Sequence, residues 1–223
     1  MIDLHTHTLL SDGELLPFEL VRRAVAKGYK AIGITDHVDA SNIDDVIPRT
    51  VKAVRRLKGL VPIEIVPGAE ITHAPPELIK ELVKEARELG ACLVIVHGET
   101  LAEPVPEGVN RAAIEAGADV LAHPGLISIE DVMYAKEKSV ALEITARKGH
   151  SISNGHVAKA AIKFGALLVI NTDSHGPDDL ITRQQAENVL LGAGIGKERV
   201  SMVFETSRNI FEKAIRRMGC PGQ

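Results

Sequence analysis

The stretch ACLVIVHG, residues 91–98, decides the fold, because a short apolar run rich in Val and Ile ends abruptly in a histidine and a glycine. A run of this length and composition is typical of a strand that is buried on both faces of a parallel sheet. Similar runs recur along the chain, and a stretch with helical periodicity follows most of them. The other predicted strands are IDLH (2–5), KAIGIT (30–35), IEIVPGA (63–69), DVLA (119–122), VALEI (140–144) and ALLVIN (166–171).

The intervening segments predict amphipathic helices, among them PFELVRRAVAKG (17–28) and PELIKELVKEARELG (76–90). After the last strand, ITRQQAENVLLGAG (181–194) and TSRNIFEKAIRRMG (206–219) predict closing helices. Seven strands in 223 residues allow about 32 residues for each strand and helix, which suits a βαβ unit. No glycine-rich phosphate loop follows the first strand, which argues against an open doubly wound sheet. We therefore predict a single α/β domain over residues 1–223, folded as a TIM-like (β/α)7 barrel.

Composition narrows the classes of function. The net charge is −4, with two Tyr, four Phe and no Trp, which disfavours a nucleic-acid partner. No apolar run approaches the roughly 18 residues of a membrane span, and no apolar leader precedes the first strand. Cys92 and Cys220 form no CxxC pattern, which fits a reducing compartment. We expect a soluble, cytoplasmic protein with no membrane partner.

Polar side chains stand where the predicted strands end, which is the edge at which parallel barrels place their sites. His5 and His7 end the first strand, and residues two apart on an extended segment point the same way. The other polar residues at strand ends are Asp36, His37, Glu70, His97, His123, Asp173 and His175. Each alone also fits a structural role, but their common position predicts one site.

Mixed imidazole and carboxylate donors suit Zn²⁺, Mn²⁺ or Fe²⁺. Since the donors are too many for one ion, we predict two to three divalent ions that share a bridging carboxylate. Asp12, in the segment LLSDG, joins the set as a further donor.

Together, the motifs DLHTHT (3–8), SDG (11–13), ITDH (34–37) and DSH (173–175), with Glu70, His97 and His123 between them, closely resemble the PHP (polymerase and histidinol phosphatase) superfamily. The resemblance implies a distorted seven-stranded barrel with a cluster of usually three metal ions that hydrolyses phosphate esters. It also implies three ligand groups. His5, His7, Glu70 and Asp173 surround one ion, Glu70 bridges to a second held by His97 and His123, and Asp12, His37 and His175 hold a third.

The resemblance, combined with the charge of a phosphate ester, predicts hydrolysis of a small phosphate monoester, as in a histidinol phosphatase. A hydroxide bridging the metal ions is the expected nucleophile. Asp12 and His37 are candidates for proton transfer. Arg147, Lys148 and His150, in the segment after the sixth strand, are the predicted substrate-binding residues, since Arg suits phosphate oxygens. His73 and His156 fall outside the motifs and are predicted to be structural or to line the pocket.

Three alternatives remain open. An amidohydrolase-like barrel also starts with an HxH motif, although it normally has an eighth strand and a bridging lysine where this chain has His97. A nucleotide phosphodiesterase is the second, and a non-catalytic, metal-binding barrel subunit, as in a ribonucleoprotein, is the third. Paired arginines such as Arg216 and Arg217 are predicted to lie on solvated helix faces.

Overall fold

Parallel strands and helices alternate along the chain in the computed structural model, which describes residues 1–219. The last four residues of the predicted domain, 220–223, lie outside the described residues, and Cys220 is one of them. The strands are β1 (Ile2–Asp3), β2 (Ala31–Ile34), β3 (His37–Val38), β4 (Glu64–Ile71), β5 (Leu93–His97), β6 (Val120–Ala122), β7 (Ala141–Thr145) and β8 (Leu168–Asn171). The helices are α1 (Pro17–Ala26), α2 (Ile43–Leu57), α3 (Pro76–Glu88), α4 (Val109–Ala116), α5 (Ile129–Lys138), α6 (Asn154–Phe164), α7 (Arg183–Gly192) and α8 (Lys197–Met218), with a 3₁₀ helix at His150–Ser153.

The strands follow one another around the sheet in the order β1, β2, β4, β5, β6, β7, β8. β2 and β3 both pair with β4, and they do so in one continuous register. Ile34 at the end of β2 lies opposite Pro67, and His37, three residues later, lies opposite Glu70, also three residues later. β2 and β3 are therefore two parts of one interrupted strand, and the sheet has seven strand positions. This confirms the predicted (β/α)7 barrel.

The interruption between β2 and β3 ties the sheet to the loop after β1. The Asp36 side chain is buried and accepts hydrogen bonds from the Thr8 amide at 2.6 Å and the Ser11 hydroxyl at 2.8 Å. These bonds hold the loop that carries Asp12 against the rim of the barrel.

The barrel closes between β8 and β1 mainly through side chains. The Leu4 amide donates to Asn171 Oδ1 at 2.9 Å, and the Thr172 hydroxyl donates to Asp3 Oδ2 at 2.6 Å. One backbone bond, from the His7 amide to the Ser174 carbonyl at 2.8 Å, completes the junction. Because a side chain takes the Leu4 amide, β1 ends at Asp3 and not at the predicted residue 5. The barrel is thus distorted, as expected.

The interior of the barrel is a compact apolar cluster below the polar rim. Leu4, Val66, Leu93 and Ile95 belong to it, and Phe211 of α8 joins it from the end where the strands begin. The helix predicted over 206–219 is the second half of α8, which already begins at Lys197. Val203 and Phe204 in the first half are buried in the layer between strands and helices.

An ion cluster around the buried Asp119 marks the end of the barrel opposite the rim. Asp119 accepts hydrogen bonds from Arg87 at 2.6 Å and from Arg217 at 2.9 Å, and Arg217 also donates to the Cys92 carbonyl. The prediction of a solvated helix face is therefore wrong for Arg217, because α8 lies across the strand beginnings. Within residues 1–219, no helix combines the length and apolarity needed to cross a membrane.

Candidate metal centre

The carboxyl ends of the strands open into a cavity of about 520 Å³. All seven strand positions contribute polar side chains to its walls, directly or through the loop that follows. These side chains include Asp12, His37, Thr72, His73, His97, Glu103, His123, Arg147, His150, Asp173 and His175. Residues that lie far apart in the sequence therefore meet in one site, as the strand ends predict.

Four buried side chains, His5, His7, Glu70 and Asp173, converge at the bottom of the site, where Asp173 lines the cavity and the other three lie just beneath its surface; we call these four the floor. His5 Nε2 lies 3.2 Å from Glu70 Oε1 and 3.7 Å from Asp173 Oδ1. His7 Nε2 lies 3.2 Å from Asp173 Oδ1 and 3.6 Å from Glu70 Oε2. Atoms that bind one ion at about 2.1 Å each lie about 3 to 3.5 Å apart. The four side chains thus have the spacing of ligands that share a divalent ion.

Several donor atoms at this point lack a hydrogen-bond partner among the described residues. They are His5 Nε2, His7 Nε2, Glu70 Oε1 and Asp173 Oδ1, and each is buried. An unsatisfied buried polar atom costs about 1–3 kcal/mol, and more if it is charged. A divalent cation would satisfy all four at once, so the residues present fit a metal ion.

Glu143 fixes the orientation of His5 from below. Glu143 Oε1 lies 2.9 Å from His5 Nδ1 and accepts a bond from Asn171 at 2.8 Å, while Oε2 accepts from the His123 amide at 3.2 Å. A carboxylate behind a ligating histidine sets its tautomer and raises its basicity. Sequence reasoning missed Glu143, although a charged residue inside the apolar run VALEI was a usable signal.

Burial and mutual charge shift the pKa values of the floor residues. Burial by itself lowers the pKa of His5, but Glu70, Glu143 and Asp173 outweigh it and raise the pKa well above its ordinary value. The pKa of Asp173 is raised to about 7, mainly by burial. The nearby His5 lowers this pKa, and the nearby Glu70 carboxylate raises it further. Several buried carboxylates thus compete for positive charge here, which a divalent ion would supply.

The predicted ligands of the third ion also lie together, nearer the mouth. Asp12 Oδ1 lies 3.2 Å from His175 Nε2 and 3.5 Å from His37 Nε2, and the donor atoms of these residues group with His7. The Asp12 side chain is 59% exposed, whereas those of the floor residues are buried. Asp12 therefore occupies the solvent side of its group.

His97 and His123, the predicted ligands of the second ion, lie side by side with ring centroids 4.5 Å apart. His123 Nε2 is 3.8 Å from Glu70 Oε1. His97 Nε2 instead lies 3.1 Å from Glu103 Oε2, on the loop after β5, and the hydrogen bond with His97 lowers the pKa of Glu103 to about 2. Sequence reasoning missed Glu103, which sits in a turn-rich segment without any motif.

The three predicted substrate-binding residues differ in whether they line the metal-centre cavity. Arg147 lines the cavity and donates from Nη1 to the Asp173 carbonyl at 3.3 Å. His150 is buried in the same wall, with its Nδ1 2.7 Å from the Thr100 hydroxyl. Lys148 is exposed and lines an adjoining cavity of about 350 Å³. The structure therefore brings Arg147 and His150 to the site but not Lys148.

The two histidines outside the motifs have different positions. His156 Nε2 lies 2.9 Å from the Ile127 carbonyl. His73 lines the cavity. Three site residues, His73, His123 and Asp173, have positive φ angles of 52°, 27° and 52°. Such backbone strain in non-glycine residues concentrates at functional sites.

The sequence model of the PHP domain matches residues 3–182 of the chain. An uncharacterized protein of Methanocaldococcus jannaschii is 49% identical over 86% of this chain and 89% of its own length. A protein of Shewanella frigidimarina named a probable phosphatase is 30% identical over 90% of this chain and 88% of its own length.

Two solved structures share the fold. A chain in the structure of archaeal ribonuclease P with mature tRNA has a TM-score of 0.75 at 17% identity, covering 99% of this chain and 94% of that one. Histidinol phosphate phosphatase from Lactococcus lactis, complexed with zinc, L-histidinol and phosphate, has a TM-score of 0.61 at 19% identity, covering 87% and 94%. The match to the domain model covers most of the chain and contains every residue of the floor, so the protein belongs to the PHP domain family.

Proposed function

We propose that this protein is a metal-dependent phosphatase that hydrolyses small phosphate monoesters with two to three divalent ions, Zn²⁺, Mn²⁺ or Fe²⁺. The observation that carries the proposal is the set of four buried, unpartnered donor atoms on the cavity floor. The PHP domain, the relatives named probable phosphatases and the zinc-containing histidinol phosphate phosphatase of similar fold support it.

The floor residues His5, His7, Glu70 and Asp173 would hold the innermost ion, with further ions nearer the mouth. When bound, the ions supply positive charge that lowers the pKa of water and stabilises the phosphoryl oxygens. Arg147 reaches the same cavity, and its guanidinium donates to phosphate oxygens in a bidentate geometry that lysine lacks. The cavity, at about 520 Å³, accommodates a small ester.

His37 and Asp12 line the cavity, and they are the candidates for passing a proton to the leaving alkoxide. Burial lowers the pKa of His37, but the Glu70 carboxylate outweighs it and raises the pKa above its ordinary value. Burial raises the pKa of Asp12, but His175 and His37 outweigh it and lower the pKa. The raised pKa favours His37 as the proton donor, and the lowered pKa favours Asp12 as the proton acceptor.

Metal content and substrate range test the proposal directly. The protein is purified without chelator, its bound metals are measured, and it is assayed on histidinol phosphate, nucleotide monophosphates and a phosphodiester. We expect two to three ions per chain and faster hydrolysis of monoesters than of the diester. Less than one ion per chain, with no phosphatase activity after Mn²⁺ or Zn²⁺ is added, would contradict the proposal.

The variant Glu70→Gln tests the role of the floor. Glu70 contacts His5, His7 and His37, so its loss should lower turnover by at least about a hundredfold while the fold is kept. Glu81→Gln, an exposed position on α3, is the matched control. Full activity of the Glu70 variant would show that this carboxylate is not part of the reacting site.

The alternatives find less support. An amidohydrolase-like centre has a bridging lysine where this chain has the buried His97. The similarity to a chain of archaeal ribonuclease P concerns the fold and fits a non-catalytic subunit, but such a subunit has no need for a full set of buried metal donors. Tight binding of structured RNA, with no hydrolysis of any phosphate ester, would favour the subunit.

A further inference from the structure

Thr72 directly follows β4 and presents its side chain on the same face of the sheet as Glu70, because residues two apart on an extended segment share a face. The Thr72 amide donates to the Val38 carbonyl at 3.0 Å, which continues the pairing of β4 with β3 by one residue. His37, the first residue of β3, lies opposite Glu70. The Thr72 hydroxyl therefore reaches the His37 ring in the wall of the cavity. Thr72 belongs to none of the ligand groups that the family resemblance implies.

Hydrogen bonds determine which nitrogen of His37 is free to act. Its Nδ1 lies 2.7 Å from Glu70 Oε2 and 2.6 Å from the Thr72 hydroxyl. An ionised carboxylate only accepts hydrogen bonds, so Nδ1 carries a proton. The other nitrogen, Nε2, lies 3.5 Å from Asp12 Oδ1 and 3.4 Å from His175 Nε2, among the predicted ligands of the third ion. Only Nε2 of His37 is therefore available to that group.

Thr72 offers Nδ1 of His37 an acceptor that the metal ions do not compete for. The Glu70 carboxylate also faces the floor, with Oε1 3.2 Å from His5 Nε2 and Oε2 3.6 Å from His7 Nε2. A carboxylate oxygen that shares its lone pairs with a cation is a weaker acceptor for an N–H group. The Thr72 hydroxyl accepts from Nδ1 instead, and its own hydrogen has an acceptor in the Glu70 carbonyl at 3.2 Å.

We propose that Thr72 is a positioning residue: its hydroxyl holds Nδ1 of His37 and thereby directs Nε2 towards the third ion. Stacking on His7, with ring centroids 4.1 Å apart, sets the plane of the His37 ring but does not distinguish two orientations related by a half-turn. Only one of these orientations places a nitrogen against the Thr72 hydroxyl. This role rests on the proposed function, because Thr72 acts through an ion that His37 would bind.

Two substitutions of Thr72 separate orientation from packing. Thr72→Val removes the hydroxyl and keeps the branched shape, whereas Thr72→Ser keeps the hydroxyl and removes a methyl group. The metal-free protein is dialysed against graded concentrations of Co²⁺, bound cobalt is counted per chain, and turnover of the fastest monoester of the panel above is measured. For Thr72→Val we expect affinity for one bound ion, and turnover with it, to fall about tenfold or more. Thr72→Ser should stay close to the wild type.

Thr206→Val is the matched control, because the Thr206 hydroxyl also donates to a carbonyl, that of Met202 at 3.0 Å, on α8 and outside the cavity wall. This variant should bind cobalt and turn over like the wild type. Circular dichroism of each variant verifies that the fold is retained.

The possible outcomes separate the role of Thr72 from the proposed function. An effect of Thr72→Ser as large as that of Thr72→Val would overturn the positioning role, because lost packing would then explain both. Unchanged cobalt affinity and turnover in Thr72→Val would also overturn it, while leaving an active, metal-loaded phosphatase intact. If the wild type itself binds no ion and hydrolyses no phosphate ester, the proposed function fails and the positioning role fails with it.

Discussion

Glu143 Oε1 lies 2.9 Å from His5 Nδ1, and neither side chain is exposed to solvent. This contact makes Nδ1 the donor of His5 and turns its Nε2 towards Glu70 and Asp173. The orientation of the first histidine of the DLHTHT motif is therefore set by a strand about 140 residues further along the chain. Partners of this kind affect metal affinity although they do not touch the ion.

Replacing Glu143 with glutamine should weaken the floor ion. The amide keeps the shape but removes the negative charge that supports His5, so we expect metal affinity to fall by about 10- to 100-fold. Competition with a chromophoric chelator measures the affinity. Glu137→Gln, exposed on α5, is the control. An affinity equal to that of the control would mean that Glu143 has only a packing role.

Arg147 and Lys148 should differ in their effect on phosphate binding. Arg147 lines both the metal-centre cavity and the adjoining one, whereas Lys148 lines only the adjoining one. A hydrogen bond to a charged group contributes about 1.5–3 kcal/mol, so Arg147→Ala should raise the inhibition constant of inorganic phosphate roughly 10- to 100-fold. Lys148→Ala should leave it near the wild-type value. Equal effects of the two variants would restore Lys148 to the substrate-binding set.

Metal removal should lower the melting temperature of the wild type. An ion at 100 times its dissociation constant adds about 2.7 kcal/mol of stability. For a domain of this size, each kcal/mol corresponds to about 2–4 °C. We expect chelation to reduce Tm by roughly 5–10 °C in scanning calorimetry, and the reduction to shrink in Glu70→Gln. A melting temperature insensitive to chelation and to added metal would argue against ions on the floor.

The ion cluster at the opposite end should matter for stability alone. Asp119 is buried between Arg87 and Arg217, so Asp119→Asn leaves two cations without their partner and should cost about 3–5 kcal/mol in the free energy of unfolding. Urea denaturation measures this loss. Asp44→Asn, exposed on α2, is the control, and catalysis per folded molecule should not change in either variant.

The same cluster predicts a pH dependence. Burial raises the pKa of Asp119, but Arg87 and Arg217 outweigh it and hold the pKa below its ordinary value. A lowered folded-state pKa gives stability that is present above the unfolded value of about 3.9 and is lost as the pH falls through the folded value. The stability difference between wild type and Asp119→Asn should therefore narrow below about pH 4. A difference that widens on acidification would contradict this assignment.

Much of the fold could be read from local patterns. The apolar runs predicted all seven strand positions, and Pro17 and Pro76 marked helix starts that the structure confirms. Strand ends were less accurate, because the break at Asp36 and the side-chain closure at Leu4 depend on partners from other parts of the chain. Glu70, predicted to follow its strand, lies inside β4 for the same reason.

The sequence by itself determined the barrel and the positions of the donors, because periodicity defines strands and parallel strands bring their carboxyl ends to one rim. Only the tertiary structure decided which of these donor side chains lie close enough together to bind the same ion. It placed Glu143 behind His5, turned His97 towards Glu103 and brought Arg147 but not Lys148 into the wall of the metal-centre cavity. The physical reason is distance. Metal ligation and hydrogen bonding act over about 2–3 Å, and the packing of loops and strands sets atomic positions on that scale, while sequence spacing does not.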